Sequence, residues 1–319
     1  MSNTTIDHSV VAIKSQVTRP GLGFILAFTT AVLWGVLPIF LKLCLMVMDS
    51  ATITAYRFYS AALVVLAILV LRRQVPTRAM LSRKGWWMLF VATVLLVLNY
   101  VTSAHALNFL NPESAQVLMQ IAPFMLMLGG VYLYKEVFTR QQKVGAILLF
   151  IGLVLFFNQR LPQIINSSHE SPYGLFLIIF AAACWAAYAL FQKPLLSSIS
   201  ARQLTFFIYI FGGSLLLPLT TPTSVFAMSA LQFGALVFCC ANTLIAYGAF
   251  TYAMGIWEAS KVSAVIAIAP LFTIISSEIA IRLWPNVFVS SELDTLAYVG
   301  AFCVVSGSML ASLGRRTKR

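Results

Sequence analysis

Ten runs of mainly apolar residues, separated by short polar connections, constrain this chain more than any other feature. They lie at 22–43, 52–71, 86–107, 114–134, 144–158, 173–192, 203–220, 230–253, 262–283 and 296–313. A helix needs about 20 such residues to cross a bilayer, and only the 144–158 run is clearly short. The chain is 60% hydrophobic and 9% charged, against about 25% charged in a soluble protein. So much apolar surface does not fit one aqueous core, and a membrane has to serve as its solvent. Open strands fail in lipid because their backbone groups lack partners. The alternation of a membrane barrel is absent. The expected fold class is all-α integral membrane, with ten transmembrane helices.

The net charge of +12 could suggest nucleic acid, but its placement argues for a membrane surface. Lys14, Arg19, the 71–85 and 135–143 connections, Lys193, Arg202, Lys261 and the tail 314–319 fall on one side if ten spans follow a cytoplasmic N-terminus. Of the 21 basic residues, only Lys42, Arg57, Arg160 and Arg282 lie elsewhere. This positive-inside bias predicts both termini in the cytoplasm, with the basic tail against anionic headgroups. The expected partners are the lipid bilayer and a small molecule, not nucleic acid. The polar segment 1–21 lacks a signal-peptide pattern, so the first run is expected to be a retained span. Cys44, Cys184, Cys239, Cys240 and Cys303 form no CxxC pair and are expected to be small buried hydrophobes. No metal or cofactor is expected.

The chain resembles itself. A shift of 151 aligns 23–42 with 174–193, matching Gly23 with Gly174, Trp34 with Trp185, and Lys42 with Lys193. A shift of 147 matches Tyr100 with Tyr247 and Ile121-Ala122-Pro123 with Ile268-Ala269-Pro270. A shift of 155 pairs Gly145 with Gly300 and Gly152 with Gly307. The expected units are a tail 1–21, a five-helix repeat 22–158, an outside connection 159–172, a second repeat 173–313 and a basic tail 314–319. Five is odd, so the second repeat would enter from the opposite side. Such inverted repeats let a carrier open a midplane site to each side in turn.

Several stretches then carry a family resemblance: LWGVLPIFLK at 33–42, ITAYRFYSAAL at 53–63, and ALNFLNPESAQVLMQIAPFMLMLGGVYLYKE at 106–136, with Pro123 and Glu136. The last helix of each half adds VGAxxxxxG glycines. Over about 20–315 the sequence is similar to the drug/metabolite transporter superfamily, within it the EamA family. The resemblance implies a ten-helix inner-membrane carrier that works without ATP, often on amino acids or other small metabolites. It also implies a cavity walled by helices one, three, four, six, eight and nine. The small multidrug-resistance relatives carry a Glu in the first helix. The 22–43 run has no carboxylate, a departure that points to a neutral, zwitterionic or anionic substrate.

Candidate residues follow from polarity and kinks inside the spans. Trp34 and Trp185 sit mid-helix and are expected either to pack or to line a cavity. Gln116, Gln120 and Pro123 share one helical face, suiting either substrate contact or interhelical bonding. Asn99, Tyr100, Tyr188, Asn242 and Tyr247 would add an aromatic wall with a few polar fixers. Pro38, Pro123 and Pro270 lack the N–H of the helix ladder and are hinge candidates or static kinks. Arg57 lies about a turn inside the second run. A buried cation there is functional by default, yet near the surface it could snorkel. It is expected to make a structural ion pair or carbonyl contact, with a substrate carboxylate as the alternative. Lys42 is read in the same way. His105 and Glu278 are candidates for proton coupling, while Glu136 and Glu258 look like boundary charges.

No GxxxxGK[ST], HExxH or GxSxG pattern occurs, which disfavours an ATP-driven pump or a membrane enzyme. The reading is an alternating-access exporter of amino acids or similar metabolites. A carrier of phosphorylated or nucleotide-linked sugars, using Arg57 with Lys261, and a non-transporting membrane protein remain the alternatives. The sequence sets neither the substrate nor the oligomeric state.

Overall fold

Helix starts are written in the sequence as capping residues. Asp49 accepts from the Thr52 backbone N–H at 2.8 Å. Thr139 with Gln142, Ser200 with Gln203, and Ser229 with Gln232 form complete capping boxes, each satisfying donors that a helix end leaves open. The computed structural model describes residues 19–77, 80–134, 139–158, 171–196, 198–257, 259–288 and 293–313. Residues 1–18 of the first tail, the tail 314–319, most of the 159–172 connection, Glu136 and Glu258 therefore lie outside the described residues.

Among the described residues there are helices and no strands. The helices are α1 Pro20–Leu45, α2 Ser50–Leu71, α3 Arg83–Ala106, α4 Pro112–Met119, α5 Ile121–Tyr134, α6 Arg140–Phe156, α7 Pro172–Leu195, α8 Ala201–Leu216, α9 Ala230–Ile256, α10 Ala259–Ile266, α11 Ala269–Leu283 and α12 Thr295–Leu313. Seven spans are long and apolar enough to cross a membrane, counting α10 and α11 as one. Each apolar run of the sequence coincides with a helix or a broken pair. The fourth and ninth elements of the reading differ from continuous helices: α4 gives way to α5 at Gln120, and α10 to α11 at Ala267 and Ile268. The cause is local. Pro123 and Pro270 cannot donate to the carbonyls of Met119 and Ile266, so the ladder fails one turn before each proline. Large apolar side chains such as Phe24, Phe90, Phe150, Phe176 and Phe302 are exposed, as expected where lipid is the solvent.

The packing crosses between the two halves of the chain. α1 lies on α9 and α3 on α7, α2 on α8, and α6 on α12. α1 also packs on α10 and α11, and α7 on α4 and α5. Exchanging the halves leaves this set of pairs unchanged. Two backbone bonds follow the same rule: Arg19 donates to Ile256 O at 3.1 Å, and Ser171 donates to Phe109 O at 3.0 Å.

α6 and α12 approach backbone to backbone. A Cβ on Gly145 would fall 2.5 Å from Ala311 N, and one on Gly307 would fall 2.6 Å from Gly145 O. One on Gly152 would fall 2.5 Å from Val304 N, and one on Gly300 would fall 2.7 Å from Gly152 O. In lipid such close approach replaces the hydrophobic drive that helix pairing has in water. The broken helices meet near the centre of the bundle.

Candidate functional site

Where the two broken helices come together, the bundle holds a cavity of about 200 Å³. A second cavity of about 80 Å³ shares Trp34, Gln120, Pro123, Trp185 and Ile266 with the first. The two cavities therefore adjoin at these residues. The larger volume equals roughly seven liquid waters at about 30 Å³ each, which is the scale of a small metabolite.

Aromatic rings build the apolar wall. Trp34 on α1 packs against Tyr247 at 5.2 Å and Phe250 at 5.6 Å between ring centroids, both on α9. Tyr247 in turn lies 6.3 Å from Tyr100 on α3. Trp185 on α7 also lines the chamber. The sequence candidates Trp34, Asn99, Tyr100, Gln116, Gln120, Trp185, Tyr247, Pro38, Pro123 and Arg57 all line the larger cavity.

The polar groups divide into those already bonded and those left open. Asn99 Nδ2 donates to Ala181 O at 2.9 Å, tying α3 to α7. Gln120 Nε2 donates to Ala267 O at 2.8 Å, and its Oε1 accepts from Ser308 at 3.3 Å. Gln120 therefore cross-braces both helix breaks and α12. Gln116 lies on the cavity wall, and no hydrogen bond to it is formed among the described residues. Of the two glutamines on that face, Gln120 is committed to structure and Gln116 is open.

Arg57, read from the sequence as making a structural ion pair or carbonyl contact, with a substrate carboxylate as the alternative, lies inside the bundle. It is 4% exposed and lies on the cavity wall. Its Nε donates to Thr243 Oγ1 at 2.9 Å, and its guanidinium carbon sits 4.5 Å from the centroid of the Tyr100 ring. It is the one charged side chain on that wall among the described residues.

Other candidates fall elsewhere. Tyr188 is buried in the apolar cluster with Tyr100, Leu195 and Tyr209 rather than on the wall. Asn242 faces α1, where its Nδ2 donates to Leu33 O at 2.6 Å. Pro270 is one residue past the wall residue Ala269. His105 packs on Phe109 and Tyr173, with Nδ1 3.3 Å from Asn108 Nδ2. Neither His105 nor Glu278 lines a cavity. Lys42 reaches Leu110 O at 3.5 Å, and Lys261 is exposed and off the wall. No group of three or more potential metal ligands occurs among the described residues.

Sequence reasoning missed Ser103, Thr243 and Ser308. Ser103 lies four residues after Asn99 on the same helical face, a spacing that could have flagged it. Thr243 and Ser308 carry no signal, because a hydroxyl in an apolar helix usually bonds back to its own turn.

Comparison with known proteins agrees with this architecture. An uncharacterized inner membrane transporter of Escherichia coli (strain K12) is 38% identical over 299 residues, covering 93% of each chain. An uncharacterized transporter of Haemophilus influenzae is 37% identical, covering 93% of this chain and 97% of its own. A probable amino-acid metabolite efflux pump of Escherichia coli (strain K12) is 22% identical, covering 92% and 96%. One solved structure, described only as a crystal structure of a protein, superposes with a TM-score of 0.61 at 16% identity over 94% of this chain, which supports the fold alone. The sequence pattern of the EamA-like transporter family matches twice, at residues 21–158 and 172–313, and the chain belongs to that family of membrane transporters.

Proposed function

We propose that this chain is an alternating-access carrier of the inner membrane that exports amino acids or similar small metabolites without ATP. The observation that carries the reading is the central cavity, walled by α1 to α5, α7 and α9 to α11 where two proline-broken helices meet. Broken helices are where carriers place sites, since irregular backbone is tolerated only against protein or water. Ten spans arranged as two inverted repeats with cytoplasmic termini fit the exchange-invariant packing and the double family match. Two adjoining cavities that share Trp34, Gln120 and Trp185 fit a site reached from one side at a time. The export direction and the amino-acid class draw on the naming of the 22% identical efflux pump.

The phosphorylated-sugar alternative loses support, because Lys261 is not on the wall beside Arg57. Coupling to protons through His105 or Glu278 finds no support in their positions.

The test is a mass-spectrometric survey of the medium of cells overexpressing the chain, against cells with a Trp34→Ala, Gln116→Ala double variant at equal membrane abundance. One amino acid or a related set accumulating only with the intact chain is the expected result. Equal media would remove export through this cavity.

A further inference from the structure

Arginine does not deprotonate in proteins and carries five N–H donors. A guanidinium kept inside a membrane bundle is costly unless paired. Arg57 has one of its donors bonded, Nε to Thr243, and one ring face against Tyr100. Its two Nη atoms have no hydrogen-bond acceptor among the described residues, and they are not sealed from the cavity. No carboxylate lines the cavity among those residues.

The two contacts it does make fix the fork without neutralising it. Thr243 anchors the Nε edge, and the Tyr100 ring holds the guanidinium plane by cation–π attraction. The four N–H bonds of the Nη atoms are left for whatever fills the chamber. Planar oxyanions match that fork with two parallel bonds. A single fixed cation balances a single negative charge.

We propose that Arg57 is an anion anchor, binding the carboxylate or a like monoanionic group of the transported molecule. Its Nη pair takes the acidic end, the open amide of Gln116 contacts a polar group, and the remainder rests on Trp34, Trp185 and Tyr247. This rests on the carrier reading for the word transported, but the anion site itself can be tested without transport.

The test uses the full chain with its five cysteines replaced and a single reporter, Ser103→Cys in the large cavity or Ser263→Cys in the small one. Each is labelled with an anionic methanethiosulfonate (ethylsulfonate) and a cationic one (ethyltrimethylammonium), and the ratio of the two rates is the readout. The anionic-to-cationic ratio at 103 should exceed that at 263 by roughly tenfold or more. Arg57→Gln should bring the two ratios together, and Arg57→Lys should keep them apart. Equal ratios at 103 and 263 with Arg57 in place would overturn the proposal, whether or not Arg57→Gln folds. A ratio at 103 indifferent to Arg57→Gln would do the same, as would a position 103 that reacts with neither reagent. An exported compound lacking any acidic group would refute the anchor while leaving the carrier reading intact.

Discussion

Gln120 and Ala267 occupy matching places in the two halves, and the side chain of one bonds the backbone of the other. The Nε2–O distance is 2.8 Å, and the residues are related by the 147-residue shift that superposes the two Ile-Ala-Pro motifs. The bond closes on a carbonyl at the break between α10 and α11, where the ladder is already interrupted by Pro270. One amide thus stitches together two discontinuities that would otherwise leave polar backbone in an apolar core.

Gln120→Leu should therefore act on stability as well as on transport. It leaves the Ala267 carbonyl and the Ser308 hydroxyl without that partner, at a cost of about 1–3 kcal/mol. Thermal unfolding in detergent should show a lowered midpoint. An unchanged midpoint would mean that the break is held by other contacts.

The α6–α12 crossing should tolerate no added carbon. Gly152→Ala places a Cβ 2.5 Å from Val304 N and 2.7 Å from Gly300 O, rigid backbone that can yield only by separating the helices. We expect a loss of about 1–3 kcal/mol or more, read as reduced folded yield and midpoint. Gly234→Ala and Gly248→Ala are the controls, since a Cβ at either meets nothing within 4 Å. In a helix interior they should gain about 0.5–1 kcal/mol.

Asp49 supplies a pH-dependent joint outside the spans. Burial pushes its carboxyl up, but hydrogen bonds from the Thr52 side chain and backbone and from Thr221 outweigh that and hold it below its ordinary value of 3.8. A lowered pKa in the folded chain means the carboxylate's contribution is fully present above the ordinary value. It is lost as pH falls through the folded value. Asp49→Asn should lower the unfolding midpoint at pH 7. The difference from the unaltered chain should shrink as both are acidified below about pH 4. A difference independent of pH would show that the cap, not the charge, carries the effect.

Much of this was legible because membrane helices obey a coarse rule. Apolar length placed every run, though not the breaks within the fourth and ninth, and the matched Trp, Pro and Gly pairs pointed to the interfaces. The wall was readable wherever a large or kinked residue stood mid-span, as with Trp34, Trp185 and Pro123. What failed was facing. Asn242 and Tyr188 have the right polarity and depth, but helical rotation turns them onto neighbouring helices. For Arg57, distance from the helix end does not reveal how deeply α2 is covered by α8 and α9. Nor could spacing tell that Gln120 is committed and Gln116 is open, since both lie on one face.

That last contrast gives the sharpest separation of structure from function. Asn242 donates to Leu33 O, while its Oδ1 is buried with no partner among the described residues. Asn242→Leu loses a bond but also removes an unsatisfied acceptor, so stability should change by no more than about 1 kcal/mol. Its side chain lines neither cavity, and the KM for the transported compound should stay as it was. Gln116 has no bond to lose, so Gln116→Leu should leave the unfolding midpoint in place. In the chamber it replaces an open amide with an apolar group, and KM should rise several-fold for a polar substrate. Proteoliposome transport beside thermal unfolding for both variants reads the two axes at once. A raised KM in Asn242→Leu with none in Gln116→Leu would move the site away from the α4 face and toward the α1–α9 seam.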